Sequence, residues 1–334
     1  MGLVFRVAAM LFVTCLVMSA QQQAPVSSPQ TRRVCITVDD LPGVLPAGAG
    51  SALQRLTSNT EALLKGFKSK GVPAIGFVNE QGLYANGEIN NRVKLLEAWL
   101  EAGMALGNHT FSHPDFNKVT LAQYEDEFVR GDTVTRHLMR ARHTAPKYFR
   151  YPFNHTGTTK EVRDAFQKFA AERGYAIAPF TFDSSDWMFN AVYEAALARG
   201  DSETAKRAVE DHLKYLRKTA EYAEIRSREM FGREIPQIFI MHANSMNAVS
   251  IDALIKTFEE RGYKFVSLEE ALKDPAYATA DAYAGPSGMS WLHRWAPSLG
   301  MMNDVASEPE PPTWVYNKYE EWRADRRAKV AAGM

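Results

Sequence analysis

Apolar positions along the chain alternate between two spacings: short unbroken runs, and runs recurring every three or four residues. Val34-Cys35-Ile36-Thr37-Val38 reads as a first strand. Leu63, Leu64 and Phe67 then share one face of a helix that stops at Gly71, and residues 73–78 follow as a strand. The joint recurs: Val93, Leu96 and Leu100 lead to Gly103, Val162, Phe166 and Phe169 to Gly174, Leu254 and Phe258 to Gly262. Each glycine falls where a helix C-terminus takes a left-handed residue. Strands are expected next, at residues 104–107, 175–182 and 263–267. Thr120 with Gln123 three positions on is a capping-box signature, opening a helix faced by Leu121, Tyr124 and Phe128 that delivers the chain to Lys147-Tyr148-Phe149-Arg150.

Strands alternating with helices imply parallel pairing, because a right-handed crossover returns the chain to the same edge. A barrel or an open sheet satisfies this, and in both the ligand sites lie beyond the C-terminal ends of the strands. Two regions stand outside the alternation. Residues 188–236 are helical in pattern, highly charged and too long for an ordinary crossover, and are read as a helical insertion with a solvated face. Residues 274–334 hold four of the six tryptophans, Trp291, Trp295, Trp314 and Trp322, expected to pack over the sheet, with a terminal helix starting at Thr313 after Pro311-Pro312.

At 334 residues and 46% hydrophobic, the chain has apolar material for one large core or two modest ones. Lys and Arg total 39 and Asp and Glu total 39, which argues against a nucleic-acid or anionic-membrane surface and favours a neutral partner. Residues 1–20 carry Arg6, an apolar run from Val7 to Val17, then Ser19 and Ala20, the pattern of a secretory signal peptide. The run is shorter than the ~20 residues that cross a bilayer. We therefore expect export to the periplasm or beyond, no stable membrane span in the mature chain, and a flexible lead-in over residues 21–32; a retained anchor is the alternative. Removal takes Cys15 and leaves only Cys35, so no intrachain disulfide is expected.

Five stretches place polar residues at the ends of strand-like runs: Val38-Asp39-Asp40, His109-Thr110-Phe111-Ser112-His113, Arg150-Tyr151-Pro152-Phe153, Asp183-Ser184-Ser185-Asp186-Trp187 and Phe239-Ile240-Met241-His242. Together they supply a metal site, a base, an acid and orienting groups, the inventory of a metal-assisted hydrolase. His109 and His113, four apart, would share a metal from one helical turn, with Asp40 as third ligand. Neighbours in a regular strand face opposite ways, so Asp39 and Asp40 serve one site only where the strand ends, as Leu41-Pro42-Gly43 suggests. The competing readings are a solvated turn for Asp39-Asp40, ordinary ion pairs for Arg150 and Asp186, a core aromatic for Trp187, and a solvated loop for Asn154 and His155.

The ordered set resembles the polysaccharide deacetylases of carbohydrate esterase family 4, the NodB-homology proteins. Thr37-Val38-Asp39-Asp40, His109-Thr110-x-x-His113, Arg150-x-Pro152-Phe153, Asp183-x-x-Asp186-Trp187 and Phe239-x-x-His242 stand for the family's five motifs, over residues 33–273 apart from the insertion. The resemblance implies an α/β fold, a distorted (β/α) barrel with fewer than eight strands, here with the helical insertion and a helical C-terminal extension. It implies a divalent metal held by Asp40, His109 and His113, zinc first, with cobalt, manganese or nickel as alternatives. By the same resemblance Asp39 is the general base, His242 the acid oriented by Asp186, and Arg150 the partner of Asp39. The backbone N–H of Phe153 then donates to the oxyanion, and Trp187 with Ile240 walls the acetyl pocket. Leu41 replaces the family's glycine and is expected to crowd the metal side of the cleft. The expected activity is removal of N-acetyl groups from amino sugars of an acetylated glycan. Alternatives are an O-acetyl esterase or non-sugar amidase with the same machinery, or a non-catalytic glycan-binding protein.

Overall fold

The computed structural model describes residues 31–44 and 51–331; the expected signal peptide and most of the lead-in lie outside them. The elements follow in the order β1 (Arg32–Leu41), α1 (Ala52–Lys70), β2 (Ile75–Val78), α2 (Ile89–Glu101), β3 (Ala105–Asn108), α3 (Leu121–Arg130), α4 (Thr133–Arg140), β4 (Tyr148–Phe149), α5 (Lys160–Glu172), β5 (Ala176–Ile177) and β6 (Phe182–Asp183). Then come α6 (Asp186–Ala198), α7 (Ser202–Phe231), β7 (Gln237–His242), α8 (Ser245–Glu260), β8 (Tyr263–Phe265), α9 (Leu268–Ala271), α10 (Trp291–Trp295) and α11 (Thr313–Ala331).

Every strand pairing is parallel, in the path β5-β4-β3-β2-β1-β7-β6. β8 stands off this path, pairing residues 32–34 of β1. The two ends of the path, β5 and β6, are joined by residues 178–181 alone, and a link that short spans less than about 20 Å. Seven strands therefore curl into an incompletely closed (β/α) barrel. The sequence expects one strand over residues 175–182; the fold divides it, because Pro179 has no N–H for a ladder and the chain crosses there from one end of the path to the other.

β1 is the centre, buried from Val34 to Asp39 and paired on both edges. It does not stop at Val38. The register with β2 slips between Val38 and Leu41, a bulge in which Asp40 takes a left-handed φ of 67°. The bulge turns Leu41 into the core: a Cβ on Gly76 would meet its Cδ1 at 2.2 Å, so the missing side chain at Gly76 is what admits it. Leu41, expected to crowd the cleft, is buried in the main hydrophobic core.

The helix boundaries follow local chemistry. Thr120 Oγ1 accepts from the Gln123 N–H while Gln123 returns the bond to the Thr120 N–H, the expected capping box. Gly71 caps α1 with φ 61°. The charged insertion is amphipathic: α7 buries Ala205, Ala208, Tyr215, Leu216, Ala220 and Ala223 against the barrel and α6, and its larger apolar side chains contribute about 1.5–3 kcal/mol each on burial. It is a packed layer with one wet face. In the extension Trp291 and Trp295 are buried, Trp295 edge-on to Tyr277 and Phe231, as expected of core tryptophans.

Candidate active site

The five stretches arrive at the C-terminal end of the sheet through parallel register. β1 and β7 pair Asp39 with His242, β6 and β7 pair Asp183 with Ile240, and β3 and β4 pair Asn108 with Phe149, one residue short of His109 and of Arg150. The bulge at Asp40 lets two consecutive carboxylates face one site inside a continuing strand, the role assigned on sequence to a strand end.

His109 and His113 sit on a loop after β3, with left-handed φ at Thr110 and His113, and the helical turn expected for them is absent. The loop is anchored from α3: Asn108 donates to the Phe128 carbonyl, the Phe111 N–H to the Glu127 carbonyl at 3.0 Å, and the Ser112 N–H to the Glu127 carboxylate. Gly131 permits this approach, since a Cβ there would lie 2.3 Å from the Thr110 carbonyl carbon. Asn79 donates to the His109 carbonyl, and the Thr110 N–H to Asn108 Oδ1 at 2.7 Å.

His109 Nδ1 lies 2.7 Å from the Arg150 carbonyl oxygen, an acceptor only, so that nitrogen carries the proton and Nε2 keeps its lone pair. Asp40 Oδ1 is 3.5 Å from His109 Nε2 and 3.4 Å from His113 Nε2, and all three donor atoms lie within 4.8 Å of one another. Burial, then the neighbouring His113, push the His109 pKa down to about 3; His113 is also lowered by burial. Asp40 is held below its usual value, the histidines outweighing its burial. Two neutral imidazoles and a carboxylate whose Oδ1 is buried without a hydrogen-bond donor suit a divalent cation. Donors about 2.0–2.1 Å from a tetrahedral zinc stand about 3.3–3.4 Å apart, close to the two separations found. The residues present fit the metal.

Asp39 is buried beside this trio, Oδ2 3.7 Å from His109 Nε2, with Oδ1 unpartnered. Burial raises its pKa to about 6, against the opposing pull of Arg150. Arg150 is fully buried and donates from Nη2 to Thr37 Oγ1 at 3.0 Å and to the Pro179 carbonyl at 3.3 Å. Its Nη1 stands 3.9 Å from Asp39 Oδ2, a charge neighbour at the edge of ion-pair range with no hydrogen bond between them.

Across the barrel mouth, Asp186 at the start of α6 is enclosed by donors: the His242 N–H, His242 Nδ1 and Asn244 Nδ2 at 2.8 Å each, and Asn247 Nδ2. Burial alone would lower the His242 pKa, but the Asp186 charge and hydrogen bond override it and raise the value to about 10. Asp186 itself is depressed against its burial, chiefly by His242. Asn244 and Asn247 escape sequence reading as site residues. Asn244 shows only as an N-cap, accepting from the Asn247 N–H at 2.8 Å, and nothing local reveals that Asp186 needs both.

Phe153 is 52% exposed with φ 56°, its ring edge-on to His113 at 4.5 Å between centroids. Ile240 is buried two residues before His242 on the same face of β7. Trp187 is 44% exposed, and its aromatic neighbour is Tyr319 of α11 at 5.1 Å, so it is not a core residue. His155 Nδ1 is 2.7 Å from Asp115 Oδ1.

One mouth of a parallel (β/α) barrel thus gathers a two-histidine, one-aspartate trio, a buried carboxylate and a hydrogen-bonded His–Asp pair. Residues 27–174 match the family described as polysaccharide deacetylase, the family that the five stretches resemble. The match takes in Asp39, Asp40, His109, His113, Arg150 and Phe153; Asp186 and His242 lie beyond it and join them through the fold. A peptidoglycan-N-acetylglucosamine deacetylase of Bacillus cereus is 31% identical over 85 residues, 25% of this chain and 28% of that one. A chitin deacetylase of Colletotrichum lindemuthianum is 30% identical over 139 residues, 40% of this chain and 49% of that one. The chain thus spans at most about half the length of these relatives. Among solved structures, a carbohydrate esterase family 4 pseudoenzyme from Bacillus anthracis superposes with a TM-score of 0.47 at 16% identity, over 73% of this chain and 66% of that one. Among the described residues, no helix is long and apolar enough to cross a membrane.

Proposed function

We propose that the protein is an exported, metal-dependent deacetylase that hydrolyses the N-acetyl group of amino sugars in a polysaccharide or cell-wall glycan. The observation that carries this reading is the convergence of Asp40, His109 and His113 with a second, unpartnered carboxylate, Asp39, and a protonated His242 across one barrel mouth. Asp40, His109 and His113 would hold the cation, zinc first, which supplies Lewis acidity for the attacking water and the acetyl carbonyl. Asp39 Oδ1, buried and without a donor, takes the water proton, and Arg150 nearby favours its ionised form. The Phe153 N–H donates to the oxygen on which charge develops. His242 Nε2, its ring fixed by Nδ1–H to Asp186, gives a proton to the leaving amine; the pair keeps it cationic across neutral pH. Ile240 and Trp187 flank the acetyl group.

We assign residues 33–273 to the catalytic barrel and 274–334 to an extension, of which Trp291 and Trp295 pack on the barrel core. Acetate release by the zinc-loaded protein from matched N-acetylated and O-acetylated glycans tests the reading. N-acetyl release abolished by a chelator supports it. O-acetyl release alone favours the esterase alternative, and no release with metal bound favours a glycan-binding protein.

A further inference from the structure

Residues 279–300, beyond the segment matched to the deacetylases, close over the turn that carries Phe153. Phe153 and Asn154 both hold left-handed φ, 56° and 55°, and neither is glycine, so the turn persists only where its surroundings fix it. Those surroundings come from the extension. A Cβ on Gly288 would fall 2.0 Å from the Phe153 carbonyl oxygen and 3.2 Å from Asn154 Cβ, so the two backbones meet face to face. The Pro286 carbonyl accepts from Asn117 Nδ2 at 3.0 Å. Arg294, fully buried on α10, donates from Nη2 to Thr156 Oγ1 at 2.8 Å and from Nε and Nη2 to Asp281 Oδ2 at 3.0 and 2.6 Å. Arg163 on α5 ties down the same strap, donating to the Tyr283 carbonyl and lying 3.5 Å from Asp281 Oδ2.

We infer that Arg294, Thr156 and Gly288 form a positioning clamp: the extension holds the Phe153 turn in its left-handed conformation, so that the Phe153 N–H and ring keep their places beside His113. This rests on the reading of the site above. Without the clamp, Phe153 and Asn154 relax toward right-handed φ, which re-aims the N–H and withdraws the ring that packs on His113. Thr156 is buried, and its hydroxyl is the one feature that Thr156→Val removes at nearly constant shape.

Thr156→Val and Thr156→Ser are compared with the parent, with Gly288→Ala as a second variant that presses on the turn from the opposite side. The clamp predicts that Thr156→Val and Gly288→Ala lose kcat about tenfold or more with KM within about twofold, while Thr156→Ser, which keeps the acceptor, stays near the parent. Amide hydrogen exchange over residues 150–157 should quicken about tenfold in Thr156→Val and remain parental in Thr156→Ser. Parental kcat and exchange in Thr156→Val, or equal losses in the serine variant, overturn the proposal. Should the parent release no acetate from any glycan, the functional reading fails while the exchange comparison still decides the clamp.

Discussion

Two adjacent carboxylates, Asp39 and Asp40, end in different electrostatic situations because one backbone angle differs. Asp40 turns at φ 67° toward the two imidazoles, while Asp39 stays in the strand, buried against Arg150. The five polar stretches are legible in sequence because each breaks an apolar run with residue types that a core does not otherwise hold. Their supports are not. Thr37 beneath Arg150, and Asn244 and Asn247 around Asp186, look like ordinary strand and cap residues until folding brings their partners from more than fifty positions away. Asp186 sets the pH behaviour. His242 folded titrates near 10 against 6.5 ordinarily, so its proton stabilises the fold fully below 6.5, and that contribution fades as pH rises through about 10. Asp186, depressed below 3.8, contributes above that value and loses its contribution as pH falls through its own folded pKa. Asp186→Asn should therefore move the alkaline limb of the pH–rate profile from near 10 toward 6.5, and an unchanged limb would show that His242 is not the group titrating there. With Asp39 near 6 as the base, the acid limb belongs at about 6 or below in both proteins.

The elements carry the site by register and close approach. Parallel pairing was readable from the alternation of periods, and so were the capping box at Thr120 and the glycine stops. The division of residues 175–182 was not, since two dipeptide strands either side of Pro179 look like one apolar run until the barrel separates them. Nor was the loop form of His109–His113, because i,i+4 spacing fits a helix equally well and only the contacts from α3 decide. Gly131, at the end of α3, is the narrowest of those contacts. Gly131→Ala should force the Thr110 backbone away and weaken zinc binding about 10- to 100-fold, read by competition with a chelating dye. Parental affinity in that variant would mean that the loop holds its ligands without α3.

On the scale of the whole molecule, the barrel brings the β1 bulge and the loop after β3 together at one mouth, where the start of α6 meets the end of β7 through Asp186 and His242. The charged insertion reads from sequence as a solvated face, yet its alanines and Leu216 are packed, because charge spaced around a helix hides a stripe of small residues. A cation held as proposed by Asp40, His109 and His113 would tie together elements on either side of β2. Zinc at a thousandfold excess over its dissociation constant should add about 4 kcal/mol, raising Tm on the order of 10 °C over the chelated protein. Asp40→Asn should abolish most of that difference, whereas an undiminished shift would place the cation elsewhere. The most direct test of the central claim pairs acetate release from N-acetylated glucosamine oligomers with zinc content, in the parent and in Asp39→Asn. The account predicts one zinc per chain in both, with release about 10²- to 10⁴-fold slower in the variant. Equal release from the two proteins, or loss of zinc from Asp39→Asn, would contradict the separation of base from metal ligands on which the account rests.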